Sequence, residues 1–255
     1  MKKGILFLIC LAACQSLFST EVTDSIPKKE KKEYRFSPSQ LIVPASLITV
    51  SSLGLTNGYL KSVNEDVKDE MAKLRSKPIL LDDYIQYLPV VSVYGLSLAG
   101  VKPKHDYFDR TLIVATSYLS MGIMVNAVKY TIREPRPDSH AQNSFLSGHT
   151  ATAFMGAELV RIEYGNASPV YGILAYTTAI GVGFSRVYNE RHWSNDVIAG
   201  AGFGILSARI GYWLLPVNRK IFNRNGNRDK KDASQIAIAP YYTGQQGGIA
   251  LSYHF

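Results

Sequence analysis

Ser185-Arg-Val-Tyr-Asn-Glu-Arg-His192-Trp-Ser-Asn-Asp196 closes one long apolar run of this chain and opens the next. A cation, an imidazole and a carboxylate therefore sit together where two candidate helices meet. If a helix begins near His192, Asp196 falls one turn on, at i+4, on the same face. A carboxylate there can hold the imidazole by one nitrogen and leave the other free to attack phosphorus. Glu190 and Arg191 lie on the approach and read as rim residues.

Two upstream segments complete the set. Lys129-Tyr-Thr-Ile-Arg-Glu-Pro-Arg136-Pro137 and Ser147-Gly148-His149 also lie at the ends of apolar stretches, and helix ends on one side of a bundle can converge on one pocket. A transferring phosphoryl group spreads negative charge over its equatorial oxygens, so positioning and charge neutralisation dominate its catalysis. Lys129, Arg136 and Arg186 supply the positive charge. Arginine gives planar two-pronged hydrogen bonds, whereas lysine acts as a mobile point charge. Ser147 can cap the helix that follows and leave N–H groups aimed at an anion. Gly148 lets the backbone approach a phosphate without a Cβ. His149 then stands near the leaving oxygen, suited to general acid work.

In these three segments the chain resembles the type 2 phosphatidic acid phosphatase (PAP2) superfamily, which also contains vanadium haloperoxidases and soluble bacterial acid phosphatases. The family pattern is Lys-x6-Arg-Pro, Pro-Ser-Gly-His and Ser-Arg-x5-His-x3-Asp. Leu146 stands where the second motif usually has proline, and every other fixed position matches. The resemblance covers roughly Asp82 to Pro216. It implies that His192 is the nucleophile of a phosphohistidine intermediate, oriented by Asp196, and that His149 protonates the leaving alkoxide and later activates water. It also implies that Lys129, Arg136, Ser147, Gly148 and Arg186 hold the phosphate oxygens. The family needs no metal or cofactor, and no Cys/His cluster or acidic pair in the sequence demands one.

Singly, each of these residues has an ordinary reading: a solvated cation, a helix start, a surface His–Asp pair. The joint order and spacing favour function. His105 and His254 belong to no motif and read as structural or solvated. Trp193 and Tyr188 flank the third motif, where packing is their expected role.

The chain has 255 residues, a formal net charge of +8 and a sequence pI of about 9.3. A basic balance suits anionic lipid headgroups or nucleic acid. The basic residues concentrate in Lys28–Arg35 and Arg219–Lys231, flanking apolar segments rather than interleaving with aromatics, so a membrane and an anionic lipid are the expected partners and nucleic acid is not. The sequence carries no signal of oligomeric state. Both cysteines, Cys10 and Cys14, lie in the N-terminal apolar run.

Residues 1–20 look like a secretory signal, with a charged start and a short apolar core. Ordinary cleavage between Ser16 and Glu21, a lipidated Cys14 after Leu11-Ala-Ala, and an uncleaved anchor are the three outcomes, in that order of preference. Residues 21–35 form a polar tether, 36–217 the helical domain, and 218–255 a basic tail. Within the domain Phe36–Leu60, Tyr84–Val101, Thr111–Val128 and Gly165–Ser185 carry no charge, Val197–Val217 carries only Arg209, and Thr150–Ile162 carries Glu158 and Arg161. About 20 apolar residues span a bilayer as a helix. The expectation is an all-α, six-helix membrane bundle, with the polar segment Lys61–Lys77 joining its first two helices. The mean hydropathy of −0.01 is low for such a protein, so polar faces should be hidden inside. In the tail, Gln235–Tyr242 and Gly248–Phe255 alternate around Gly244-Gln-Gln-Gly-Gly and predict a short hairpin.

The positive-inside rule places Arg219–Lys231 in the cytoplasm and the three motifs in the periplasm. A cleaved signal followed by six spans predicts the reverse, unless Phe36–Leu60 does not cross. The expected activity is hydrolysis of a phosphate monoester of an anionic lipid at the periplasmic face of a Gram-negative inner membrane. Lipid A is the leading substrate; undecaprenyl diphosphate, phosphatidylglycerophosphate and phosphatidate are the alternatives. A vanadate-dependent haloperoxidase and a non-catalytic lipid-phosphate binder are the remote ones.

Overall fold

A computed structural model of the chain describes residues 34, 36–138, 141–222, 235–242 and 247–254. The signal-like segment and, Tyr34 apart, the tether lie outside them. Nine helical pieces occur among the described residues: α1 Ser39–Leu53, α2 Gly58–Leu74, α3 Asp82–Ile85, α4 Leu88–Leu98, α5 Tyr107–Thr131, α6 Gly148–Tyr164, α7 Pro169–Tyr188, α8 Ser194–Trp213 and α9 Leu215–Ile221.

Nine pieces replace the six expected because three apolar runs are broken. The first helix stops at Gly54, and Asn57 starts another by accepting hydrogen bonds from the N–H groups of Tyr59 and Leu60. The chain bends there by 91°. Residues 61–74, read as a connector, are helical. They form the polar α2, tied across the bend to the start of α8 by Asn64, which donates to Asn195 Oδ1 at 3.0 Å. The second run splits into α3 and α4, with a proline in the first turn of α4. The sixth breaks at Leu214, ahead of Pro216, with a 48° bend between α8 and α9. Proline is tolerated in a first turn, where its missing N–H costs no helical bond.

Helix α6 is the axis of the bundle. It packs on α4, α7 and α8, and α8 in turn packs on α1 and α5. Ala151, Ala153, Met155, Ala157, Leu159 and Val160 are all buried, so α6 is enclosed nearly all round. Two glycines of α8 set the closest approach. A Cβ on Gly204 would lie 2.3 Å from the Ala151 carbonyl oxygen, and one on Gly200 would lie 2.5 Å from that of Ser147. Those small residues clamp the N-terminus of α6 against α8. Gly204→Ala is therefore expected to cost about 1–3 kcal/mol through overpacking. Gly181→Ala, where an added Cβ meets nothing within 4 Å, should be neutral or slightly stabilising as a helix substitution. Thermal unfolding of both variants in detergent checks this, and equal midpoints would contradict it.

The low mean hydropathy has a structural explanation. Glu158 is fully buried, accepting from Arg161 Nε at 2.6 Å, Arg209 Nε at 2.7 Å and Tyr176 Oη at 2.6 Å. Glu163 is paired with His105 Nδ1 at 2.7 Å and accepts from Tyr212 Oη at 2.7 Å. Charges that would weaken a hydropathy profile are thus spent inside the bundle, and His105 is structural. Outward, α5 and α7 expose Leu119, Ile123, Ile173, Leu174 and Ile180. Large apolar side chains exposed in such number on two helices are what a membrane-facing surface shows. Among the described residues, α5 is the one helix long and apolar enough to cross a membrane; up to three spans result if the bent pairs α1–α2 and α8–α9 each count as one.

Two strands, β1 Gln235–Tyr242 and β2 Gly247–His254, pair antiparallel with Gln235 opposite His254 and Tyr242 opposite Gly247.

Candidate active site

Successive helices alternate in direction, so the C-termini of α5 and α7 and the N-termini of α6 and α8 come to the same end of the bundle. Those four ends carry the three sequence motifs.

On the last turn of α5, Lys129 donates from Nζ to the Asn143 carbonyl at 2.6 Å. Arg136, in the loop after it, donates from Nε to Asn143 Oδ1 at 2.9 Å, and its N–H bonds the Ala141 carbonyl. One asparagine thus gathers both cations. Ser147 is fully buried and caps α6 by accepting from Thr150 N. Its own N–H donates to the Asp196 carbonyl at 3.0 Å, which stitches α6 to α8. The departure at Leu146 leaves this cap intact, because the leucine side chain sits wholly in the core. At Gly148 an added Cβ would meet nothing within 4 Å, so protein packing does not require a glycine there.

The two histidines have different surroundings. His192 is buried, at 3% exposure, and its Nδ1 lies 2.8 Å from the Ser144 carbonyl oxygen. A carbonyl only accepts, so Nδ1 carries the proton and Nε2 keeps its lone pair. The sequence reading gave this holding role to Asp196 directly. The geometry differs: Asp196 Oδ2 is 3.6 Å from Nδ1, and it accepts instead from Ser144 Oγ and from the Trp193 N–H at 2.9 Å. The carboxylate steadies Ser144, whose carbonyl steadies the imidazole. The helix starts at Ser194 rather than at His192, which turns the ring from the i+4 carboxylate towards the loop. His149, on the first turn of α6, places Nε2 at 2.8 Å from Asp83 Oδ1.

Arg186 ends α7 and is buried, at 7% exposure. Its Nη1 donates to Asp82 Oδ2 at 2.9 Å and lies 3.6 Å from Asp83 Oδ1, while buried Nε has no hydrogen-bond partner. A cavity of about 410 Å³ opens beside it, lined by Arg75, Asp82, Asp83, Arg186, Asn189 and Arg191. The rim residues are paired, Glu190 with Arg75 at 2.9 Å and Arg191 with Asp138 at 3.3 Å. Glu190 takes a left-handed φ of 56°, which lets the chain reverse between α7 and α8. Trp193 donates from Nε1 to the Pro135 carbonyl at 2.8 Å, and Tyr188 Oη accepts from the Ser76 N–H at 3.2 Å. Both are half-buried and hold loops.

The structure brings Lys129, Arg136, Ser147, Gly148, His149, Arg186, His192 and Asp196 to one end of the bundle. It adds Asn143, Ser144, Asp82 and Asp83, which the motifs do not contain. Asp82 and Asp83 stand in the sequence as an acidic pair ahead of the apolar run at Tyr84, with nothing there to say which residues they meet.

Burial pulls the His192 imidazole below its usual value of 6.5; Asp196 opposes this, and the Lys129 and Arg186 charges reinforce it. With His192 as the nucleophile that the resemblance implies, the neutral ring is the attacking form, and activity is expected to fall only as pH drops through that depressed value. The acid limb of kcat/KM, corrected for substrate ionisation, is expected below pH 6.5, and Asp196→Asn should move it further down. An inflection above 6.5 would contradict this.

Residues 110–220 match the PAP2 superfamily, a span that includes all eight motif residues. A Lipid A 1-phosphatase of Porphyromonas gingivalis is 40% identical over 169 residues, 64% of this chain and 38% of that protein. The bacitracin transport permease protein BcrC of Bacillus licheniformis is 35% identical over 74 residues, 29% of this chain and 34% of that one. The matches thus span well under half the length of these curated relatives. Among solved structures, a PAP2 type phosphatidylglycerolphosphate phosphatase from Bacillus subtilis is 22% identical, covers 71% of this chain and 98% of its own, and gives a TM-score of 0.49. LpxE of Aquifex aeolicus is 20% identical, covers 59% and 92%, and gives 0.43.

Proposed function

We propose that this chain, whose residues 110–220 match the PAP2 superfamily, hydrolyses a phosphate monoester of an anionic lipid, with lipid A the first choice of substrate. The observation that carries the reading is the state of His192: a buried imidazole with its proton fixed on Nδ1, its Nε2 free, and Lys129, Arg136 and Arg186 at the same helix ends. Nε2 attacks phosphorus, the cations take up the charge on the equatorial oxygens, and the N-terminus of α6 at Gly148 offers N–H groups to the same anion. His149 gives a proton to the leaving oxygen. Water then attacks the phosphohistidine, losing its proton to His149 and releasing phosphate.

A lipid is favoured over a soluble ester because apolar surface begins where the site ends. A hollow of about 510 Å³ is lined by Val67, Met71, Phe184, Val187, Val197 and Ile198, and it reaches Ser194 at the start of α8. An acyl chain can lie there while its headgroup phosphate meets Arg186. The 40% identity to a Lipid A 1-phosphatase supports lipid A among such lipids.

For sidedness, α8 carries the chain from Ser194 to Trp213, about 30 Å at 1.5 Å per residue, from the site towards Arg219 and Lys220. The positive-inside rule favours a cytoplasmic position for those cations and so supports a site on the periplasmic face of a Gram-negative inner membrane. The 91° bend supports a first apolar segment that does not cross as one span, the arrangement under which a cleaved signal and a periplasmic site agree.

The test compares lipid A from cells with and without the gene. Deletion should raise its mass by one phosphate and, through a more negative surface, increase sensitivity to cationic antimicrobial peptides. Unchanged lipid A would move the assignment to undecaprenyl diphosphate or a glycerophospholipid.

A further inference from the structure

We propose that Asp83 is the positioning residue of the acid–base histidine: it holds Nε2–H of His149 and so makes Nδ1 the nitrogen that exchanges protons with the substrate. The inference rests on the phosphatase reading above and assigns a role to a residue outside the three motifs.

The geometry is specific. His149 Nε2 and Asp83 Oδ1 are 2.8 Å apart. An ionised carboxylate only accepts, so the ring must donate from Nε2. A neutral imidazole has one N–H, and here it is committed to Asp83. The remaining lone pair is on Nδ1. Asp83 reaches this position from α3, a single turn anchored at both faces. Asp82, the preceding residue, is buried against Arg186 at 2.9 Å, and Gln86 Nε2 donates to the Asp83 carbonyl at 2.8 Å. One short helix therefore presents a carboxylate to the phosphate-facing arginine and another to the acid–base histidine.

The proton balance closes. In the starting state both ring nitrogens carry protons. His192 Nε2 forms a bond to phosphorus as the bond to the leaving oxygen breaks, and Nδ1 of His149 protonates that oxygen to give the alcohol. Water next bonds phosphorus and passes its proton to Nδ1, while the P–N bond breaks and its electron pair returns to His192. Throughout, Nε2–H stays on Asp83. The charged groups facing His149 are Asp83 and Asp82 of α3 and Arg186 of α7. Removing Asp83 leaves the arginine less opposed, so the imidazolium loses its proton at lower pH.

The experiment uses the full chain in detergent and compares wild type with Asp83→Asn and Asp83→Glu. Substrates are 4-nitrophenyl phosphate, whose leaving group needs little protonation, and phosphatidate in micelles, whose alkoxide needs it fully. Asp83→Asn should lose about tenfold or more kcat/KM on phosphatidate beyond its loss on the aryl ester. Its alkaline limb should move to lower pH, and Asp83→Glu should recover part of both effects. Equal losses on the two esters with an unmoved limb would make Asp83 merely structural and overturn the proposal. A gain in kcat/KM would also overturn it, by showing that the carboxylate occludes the phosphate site. Wild type that releases no phosphate from either ester or from lipid A would remove the phosphatase reading itself, and this inference with it.

Discussion

Replacing His192 by alanine is expected to reduce phosphate release to background, a loss of roughly 10⁴-fold or more, as removal of a covalent nucleophile does elsewhere. No other group takes its place. His149 is committed to Asp83 through Nε2, and Ser147 is fully buried with its hydroxyl accepting from Thr150 Oγ1 at 2.9 Å. The Ser144 carbonyl loses its partner in the variant, but the Asp196 carboxylate still holds Ser144 Oγ and the Trp193 N–H. The loop should therefore keep its shape, and the protein should insert and survive solubilisation like wild type. Near-normal turnover by a well-folded His192→Ala protein would contradict the mechanism.

Arg186→Ala should have the next largest effect. Loss of its charge from the phosphate site is expected to lower kcat/KM about 100-fold, or about 3 kcal/mol of transition-state stabilisation. Lysine should rescue weakly, because a point charge cannot reproduce two parallel hydrogen bonds. A second consequence follows from Asp82, which is 4% exposed and would be left buried without its cation. Breaking a buried pair from one side costs about 3–5 kcal/mol. The double variant Asp82→Ala/Arg186→Ala should recover part of that stability and none of the rate. Steady-state kinetics and thermal unfolding in one detergent separate the two effects; recovery of rate in the double variant would show that Arg186 acts only on structure. Arg136→Ala, at a more open position tied to Asn143, should lose rate with less cost in stability.

The sequence indicated which residues meet at one end of the bundle more clearly than how they are held. Lys129, Arg136, Ser147, Gly148, His149, Arg186, His192 and Asp196 were legible because helix ends converge and their spacing within each motif is fixed. The holding groups were not. Ser144 acts on His192 through a backbone carbonyl, which has no side-chain signature, and Asp82 and Asp83 lie more than 60 residues before their partners. For the fold, hydropathy located apolar runs and missed their breaks. Asn57 caps a new helix inside a run that reads as continuous, and Pro89 and Pro216 begin helices within theirs. Thr150–Ile162, which carries more charge than any other of the six runs, is the axis of the bundle, because Glu158 and Arg161 pair with each other and, for Glu158, with Arg209 and Tyr176.

The central claim is a covalent phosphohistidine at His192. It is tested most directly by mixing wild-type protein with ³²P-labelled phosphatidate, quenching in alkaline denaturant and locating the label by peptide mass spectrometry. The account predicts an acid-labile, alkali-stable phosphate on the peptide carrying His192, absent from His192→Ala. A phosphate on Ser147 or on His149, or turnover with no covalent label under rapid quench, would contradict it.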